Sequence, residues 1–153
     1  MDDHTRHIFF FTLLITACYT SSLSTPWVLD DSPNILQNAP IRIDNLLPET
    51  LWHTLFAKPF AEGTLYRPIA NLSFALNWFL GQDNPRGYPI VNILIHHCAS
   101  LFLFRTTILL LDSAQASSKN KNNAYTIALL ASLLWAINPI QVPAVTYIVQ
   151  RMA

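Results

Sequence analysis

The sequence predicts an all-α fold: part of an integral membrane helical bundle with about 3 to 4 membrane helices and an external loop that carries a short amphipathic helix. Three observations predict it. Of 153 residues, 52% are hydrophobic and only 12% are charged, and the mean hydropathy is +0.30, too apolar for an ordinary soluble domain. The apolar residues gather into runs, several of them near the length of about 20 residues that a bilayer crossing requires. Polar stretches bounded by proline separate those runs.

The same composition excludes several function classes. Net charge is zero, and the nine Lys and Arg are scattered from Arg6 to Arg151 with no basic stripe, so nucleic acid is not an expected partner. Cys18 and Cys98 lie inside apolar runs without CxxC or Cys/His ligand spacing; they are expected as packed thiols, not as a disulfide framework or a zinc site. The three glycines, Gly63, Gly81 and Gly87, form no loop able to cradle a nucleotide phosphate.

The elements follow in order. Residues 8–29, "IFFFTLLITACYTSSLSTPWVL", make a first span whose second half is rich in Ser and Thr. A competing reading is an envelope lipoprotein, with a short apolar core leading to "ITAC" and processing at Cys18. The acidic start "MDDHTRH" and the later apolar runs weigh against it. Residues 30–64 form an external loop. Within it Leu47, Leu51 and Leu55 stand at helical spacing beside Leu46 and Trp52, which predicts a short amphipathic helix on the membrane surface, begun by Pro48 and stopped near Pro59. A helix packed on a soluble core shares that local pattern.

Residues 65–81 are apolar on most faces but short for a span, and are expected to be interfacial, re-entrant or tilted. "QDNPRG" reads as a turn. Residues 88–111 are long enough to cross, with Arg105 close enough to the end to reach the interface. Lys119 and Lys121 place the 112–123 linker in the cytoplasm, which puts the N-terminus inside and Asp30 outside. Residues 124–141 form another span, broken or kinked near Pro139 and Pro143.

Polar side chains inside apolar spans are costly and tend to face a bundle interior or a watery cavity. Tyr88, Asn92 and His96 recur at intervals of four and share one helix stripe, with His97 turned away; Arg67 and Asn71, and Ser73 and Asn77, form further pairs of the same spacing. These residues either hydrogen-bond neighbouring helices, favouring helix–helix association, or line a site. Adjacent helical residues point in different directions, so His96 and His97 do not converge on one metal ion. Asp30 and Asp31 have two readings as well. They cap or solvate the turn "DSPN", or, as close carboxylates, one is poised as a general base or both hold a divalent cation.

Taken in order, "DDSPNILQNAPI", "YRPIANLSFALNWFLG", "NPRGYPIVNILIHH" and "INPIQVPAVTYIVQRMA" resemble the amino-terminal part of GT-C class membrane glycosyltransferases, in particular the O-mannosyltransferase-like group that joins such a domain to tetratricopeptide repeats. The resemblance implies a multi-helix membrane bundle, a sugar donor on a polyprenyl phosphate lipid, and an acidic residue in the first external loop acting as base or through a metal. It places Asp30, then Asp31, at that acidic position, as catalytic residues or ligands of a divalent metal ion. Arg67 of "YRP" is implied near the donor phosphate, and His96 and Arg151 are implied as substrate-binding residues in the same cavity. The chain departs from the usual pattern at Asn138-Pro139 and Val142-Pro143, where the family usually reads His-Pro, then Thr and an acidic or amide residue. The resemblance also implies further spans and repeats beyond Ala153, so the expectation is a transferase fragment, incomplete and inactive alone, in a bacterial inner membrane. A small non-catalytic integral membrane protein is the alternative from another class.

Overall fold

A computed structural model describes residues 3–57, 67–114 and 121–152. All regular structure among them is helical: α1 Asp3–Tyr19, α2 Pro48–Leu55, α3 Pro68–Gly81, α4 Gly87–Ala114, α5 Lys121–Ala136 and α6 Val142–Thr146. Short tight helical turns lie at Thr20–Ser24, Ala39–Ile41, Pro139–Gln141 and Ile148–Met152, and a short, wider π-helical turn at Ser32–Leu36. The chain divides into two compact units, one of Met1–Thr20 with Ile93–Val142, the other of Ser21–Asn92 with Pro143–Ala153.

In the first unit α1 meets α5. Phe11, Ile15 and Tyr19 recur at helical spacing and are all buried, as are Ala124, Ala128 and Ala136 on α5. Small side chains at such positions let helix backbones approach closely where apolar burial gives little net drive. Hydroxyls in the apolar runs are satisfied locally. Thr12, Thr16 and Thr20 donate to the carbonyls of Ile8, Thr12 and Thr16 at 2.9, 2.9 and 2.8 Å, and Ser100 and Ser132 donate to His96 and Ala128. Phe10, Phe102, Leu110 and Leu134 remain exposed, as lipid-facing residues are. Cys18 and Cys98, expected as packed thiols, are also exposed on their helices, a position that lipid covers as readily as protein.

Among the described residues, two helices are long and apolar enough to cross a membrane, Arg6–Ser24 and Gly87–Ser113, and a third crossing results if the pair Asn123–Ala136 and Pro139–Thr146, bent by 52°, acts as one span. The bend falls where Pro139 was expected to produce one. Asn138 caps the turn after it, its side-chain oxygen accepting the Ile140 N–H at 3.0 Å. Asn138→Ala is expected to lower stability by about 1 kcal/mol, measured by thermal unfolding in detergent micelles.

Several boundaries differ from expectation. The first span was expected over 8–29, yet α1 stops at Tyr19 and helical structure ends at Ser24. Serine and threonine compete for backbone bonds there, and Pro26 removes a donor. α2 begins at Pro48 but ends at Leu55; Pro59 lies outside the described residues. α3 starts with Pro68 in its first turn and is not a candidate span; Leu65 and Tyr66 lie outside the described residues. α4 is longer than the expected 88–111. Residues 115–120 of the expected linker, including Lys119, lie outside the described set.

The second unit has its own apolar core, in which Ile35, Ile41, Phe74, Tyr88, Ile148 and Met152 are buried and Trp27, Leu51 and Trp78 pack against them. This core draws together α2, α3, the first turns of α4 and the turn Ile148–Met152. α2 inserts Leu51 and leaves Trp52 61% exposed beside Leu46 and Leu47, which is the amphipathic division its sequence predicts.

Candidate functional site

The segment Val28-Leu29-Asp30-Asp31 forms a tight corner in the second unit. Leu29 has φ of 40°, a left-handed conformation that costs a residue with a Cβ about 1–2 kcal/mol. Its side chain is 80% exposed, so apolar burial does not hold it there.

Asp31 does. Its carboxylate is wholly buried and accepts two main-chain hydrogen bonds: Val28 N–H donates to Oδ2 at 2.9 Å and Val149 N–H donates to Oδ1 at 2.9 Å. Burial raises the Asp31 pKa; the two backbone bonds oppose that rise, and the charge of Asp30 adds to it. Asp31 occupies the cap position of the turn Ser32–Leu36 without capping it through its side chain. The capping expected of "DSPN" is replaced by the longer reach to Val149.

Asp30 behaves differently. It is exposed, and its carbonyl, not its carboxylate, ties down the following turn, accepting Asn34 Nδ2 at 2.7 Å and Asn34 N at 3.3 Å. The Tyr147 phenol lies against the Asp30 main chain: desolvation first, then the charges of Asp30 and Asp31, raise its pKa, and a hydrogen bond with the Asp30 backbone opposes that rise. The adjacent acids therefore do not act as an equivalent pair. Both Asp31 oxygens are engaged by N–H donors, and no third His, Cys, Asp or Glu joins the pair among the described residues. This donor set does not fit a divalent cation held jointly by Asp30 and Asp31.

A second cluster in this unit surrounds Arg151. Its Nε donates to Asn92 Oδ1 at 2.9 Å, Nη1 donates to Ser73 Oγ at 3.0 Å and Asn77 Oδ1 at 2.8 Å, and Nη2 donates to the Tyr88 carbonyl at 2.8 Å. The guanidinium also lies 4.5 Å from the Phe74 ring centroid. Burial draws the Arg151 pKa down to about 10, so it remains a cation at neutral pH. All these partners are neutral. The planar fork of Arg can serve α3, α4 and its own turn at once. Asn92 fastens the same region by donating its amide to the carbonyls of Tyr147 at 3.0 Å and Val145 at 3.3 Å.

Of the expected site residues, Asp30, Asp31, Arg67 and Arg151 fall in the second unit and His96 in the first. Arg67 is exposed at the head of α3, with φ of 48° and its carbonyl accepting the Asn71 N–H at 3.1 Å. His96 Nε2 lies 2.9 Å from the Ala136 carbonyl and so carries the proton it donates; the ring packs edge-on to Tyr19 and flat against Trp135. His97 turns elsewhere, toward the carbonyls of Ile93 and Thr12, as adjacent helical positions must.

Sequence reasoning missed Tyr147 beside Asp30 and the convergence on Arg151. A signal for the second existed: the pairs Ser73/Asn77 and Tyr88/Asn92, on separate helices, needed a shared donor, and Arg151 was the cation in the last quoted block.

The chain is 32% identical over 141 residues to human protein O-mannosyl-transferase TMTC3, 33% over 147 residues to Drosophila melanogaster Tmtc3, and 36% over 145 residues to human TMTC2. These matches take in 90%, 88% and 88% of the chain but only 14%, 16% and 15% of those proteins. The chain thus spans about a seventh of the length of these relatives. No protein-family model and no solved structure matches it. Over about nine-tenths of its own length, the chain is a homologue of the TMTC protein O-mannosyl-transferases.

Proposed function

We propose that the chain is part of a membrane glycosyltransferase that moves a sugar from a polyprenyl-phosphate donor to an acceptor hydroxyl, with Asp30 as the general base. In that reaction the acceptor oxygen bonds to the anomeric carbon as the bond from that carbon to the phosphate oxygen breaks. The polyprenyl phosphate leaves, and Asp30 takes the hydroxyl proton. Arg67 offsets charge on the departing phosphate, while Arg151 holds the helices that frame the corner. The observation that carries the reading is the exposed Asp30, fixed on a strained backbone by a buried neighbour, inside a segment homologous to named O-mannosyl-transferases. Strain retained at one corner costs stability and is characteristic of functional positions.

The proposed topology puts the N-terminus in the cytoplasm and the loop after α1 on the opposite side. With Cys18 and Cys98 replaced by Ser, a thiol at Gln37, which is exposed, is expected to react with a membrane-impermeant maleimide added to the non-cytoplasmic face. Reaction only from the cytoplasmic face contradicts the orientation.

Because the chain matches a seventh of its relatives, the activity is tested in a chimera in which it replaces the matching segment of human TMTC3. In membranes of cells lacking that relative, transfer of a labelled sugar from a polyprenyl-phosphate donor to protein is expected to reappear. A chimera that is folded and membrane-inserted but transfers nothing contradicts the reading.

A further inference from the structure

We propose that Asp31 is a positioning residue: its buried carboxylate clamps the main chain at Val28 and at Val149, and so holds the left-handed Leu29 corner that presents Asp30 beside Tyr147. The inference rests on the reading of Asp30 as the reacting acid and gives its neighbour a separate task.

The clamp has two arms. One closes a small ring, from the Val28 N–H to Asp31 Oδ2 at 2.9 Å, with Leu29 and Asp30 inside it. A left-handed Leu is unfavourable by itself, and its exposed side chain repays nothing; the main chain closes the same turn, Asp31 N–H donating to the Val28 carbonyl at 2.9 Å, and the carboxylate ring doubles that hold on the bend. The other arm reaches 118 residues along the chain to the Val149 N–H at 2.9 Å, two residues beyond Tyr147. The tight turn Ile148–Met152 is therefore held near its start by Asp31 and at its last turn by Arg151. One buried carboxylate thereby fixes the backbone on both sides of Asp30 and the backbone next to the phenol beside it. With 0% exposure and both oxygens engaged, Asp31 cannot meet an acceptor hydroxyl without breaking the corner.

The test exploits Leu29. Asp31→Asn preserves shape but turns an NH2 group toward one of the two N–H donors, which opens one arm. In the chimera it is expected to lower kcat about 10- to 100-fold, as a misplaced reacting group does, with KM for the donor within about 2-fold. Adding Leu29→Gly, which adopts the same φ without penalty, is expected to recover about 5-fold of that loss, equivalent to the strain of a left-handed Leu. If Asp31 were itself the base, the glycine would rescue nothing and Asp30→Asn would be tolerated; either result overturns the proposal, as does an unchanged kcat in Asp31→Asn. If Asp31→Asn lowers the yield of folded protein, the double variant is expected to regain it, and failure to do so counts against the clamp.

A second readout needs no activity. Amide exchange in the full chain in micelles is expected to quicken at least about 10-fold at Val28 or Val149 in Asp31→Asn, as an opened hydrogen bond predicts, and at neither in Asp30→Asn. Unchanged protection in Asp31→Asn overturns the clamp. A chimera without transfer that keeps this exchange pattern overturns only the assignment of function.

Discussion

Arg151→Met is expected to lower the stability of the second unit by about 2–4 kcal/mol, measured by thermal or denaturant unfolding in micelles. Two effects compete. Removing the guanidinium orphans Asn92 Oδ1 and Asn77 Oδ1, while Ser73 Oγ keeps its bond to the Ala70 carbonyl and the Tyr88 carbonyl keeps its helical bond; a buried acceptor left unpaired costs about 1–3 kcal/mol. Against that, a buried cation is itself costly, as its lowered pKa shows, and methionine releases this cost while filling much of the volume. The two orphaned amide oxygens win because they lie on different helices and methionine offers neither of them a donor. Arg151→Lys keeps the charge but offers one point of donation, and is expected to fall between methionine and the parent. A methionine variant as stable as the parent shows that the cluster is held by its apolar packing alone.

Asp30→Asn is expected to reduce sugar transfer by the chimera about 10²- to 10⁴-fold, the usual contribution of a general base. Asparagine is nearly the same size, and the Asp30 atom that holds the fold is its carbonyl, so the substitution removes the proton acceptor and little else. The loss is expected in kcat, with donor KM little changed, because proton removal belongs to the transition state and not to donor binding. Asp30→Glu, which keeps a carboxylate but moves it by one methylene, is expected to retain part of the rate.

Much of the architecture was legible in the sequence because lipid imposes a simple rule: apolar runs of sufficient length become helices. Gly87–Ala114 and the break at Pro139 follow from that rule and from proline's missing donor. The end of α1 was harder to place, since Ser and Thr satisfy themselves equally well in a helix or in the tight turn that replaces it. The site was only half legible. Asp30 and Asp31 are identical side chains at adjacent positions, and what separates them is a backbone N–H at Val149, 118 residues away. No local pattern encodes that distance. The same holds for Arg151, whose partners come from two other helices, although the polar pairs at intervals of four marked the faces on which it acts. The resemblance named Asp30, Asp31, Arg67, His96 and Arg151 together; the structure differentiates what each of them touches.

In the proposed reaction Asp30 does chemistry on a corner whose stability resides elsewhere. The most direct measurement is the single-turnover rate of sugar transfer by the Asp30→Asn chimera at saturating donor, taken alongside the melting temperature of the same preparation. The expected rate is at least about 100-fold below the parent, with a melting temperature within about 2 °C of it, the shift of a surface substitution that disturbs no packing. A parental rate at that same melting temperature would contradict the reading of Asp30 as the base.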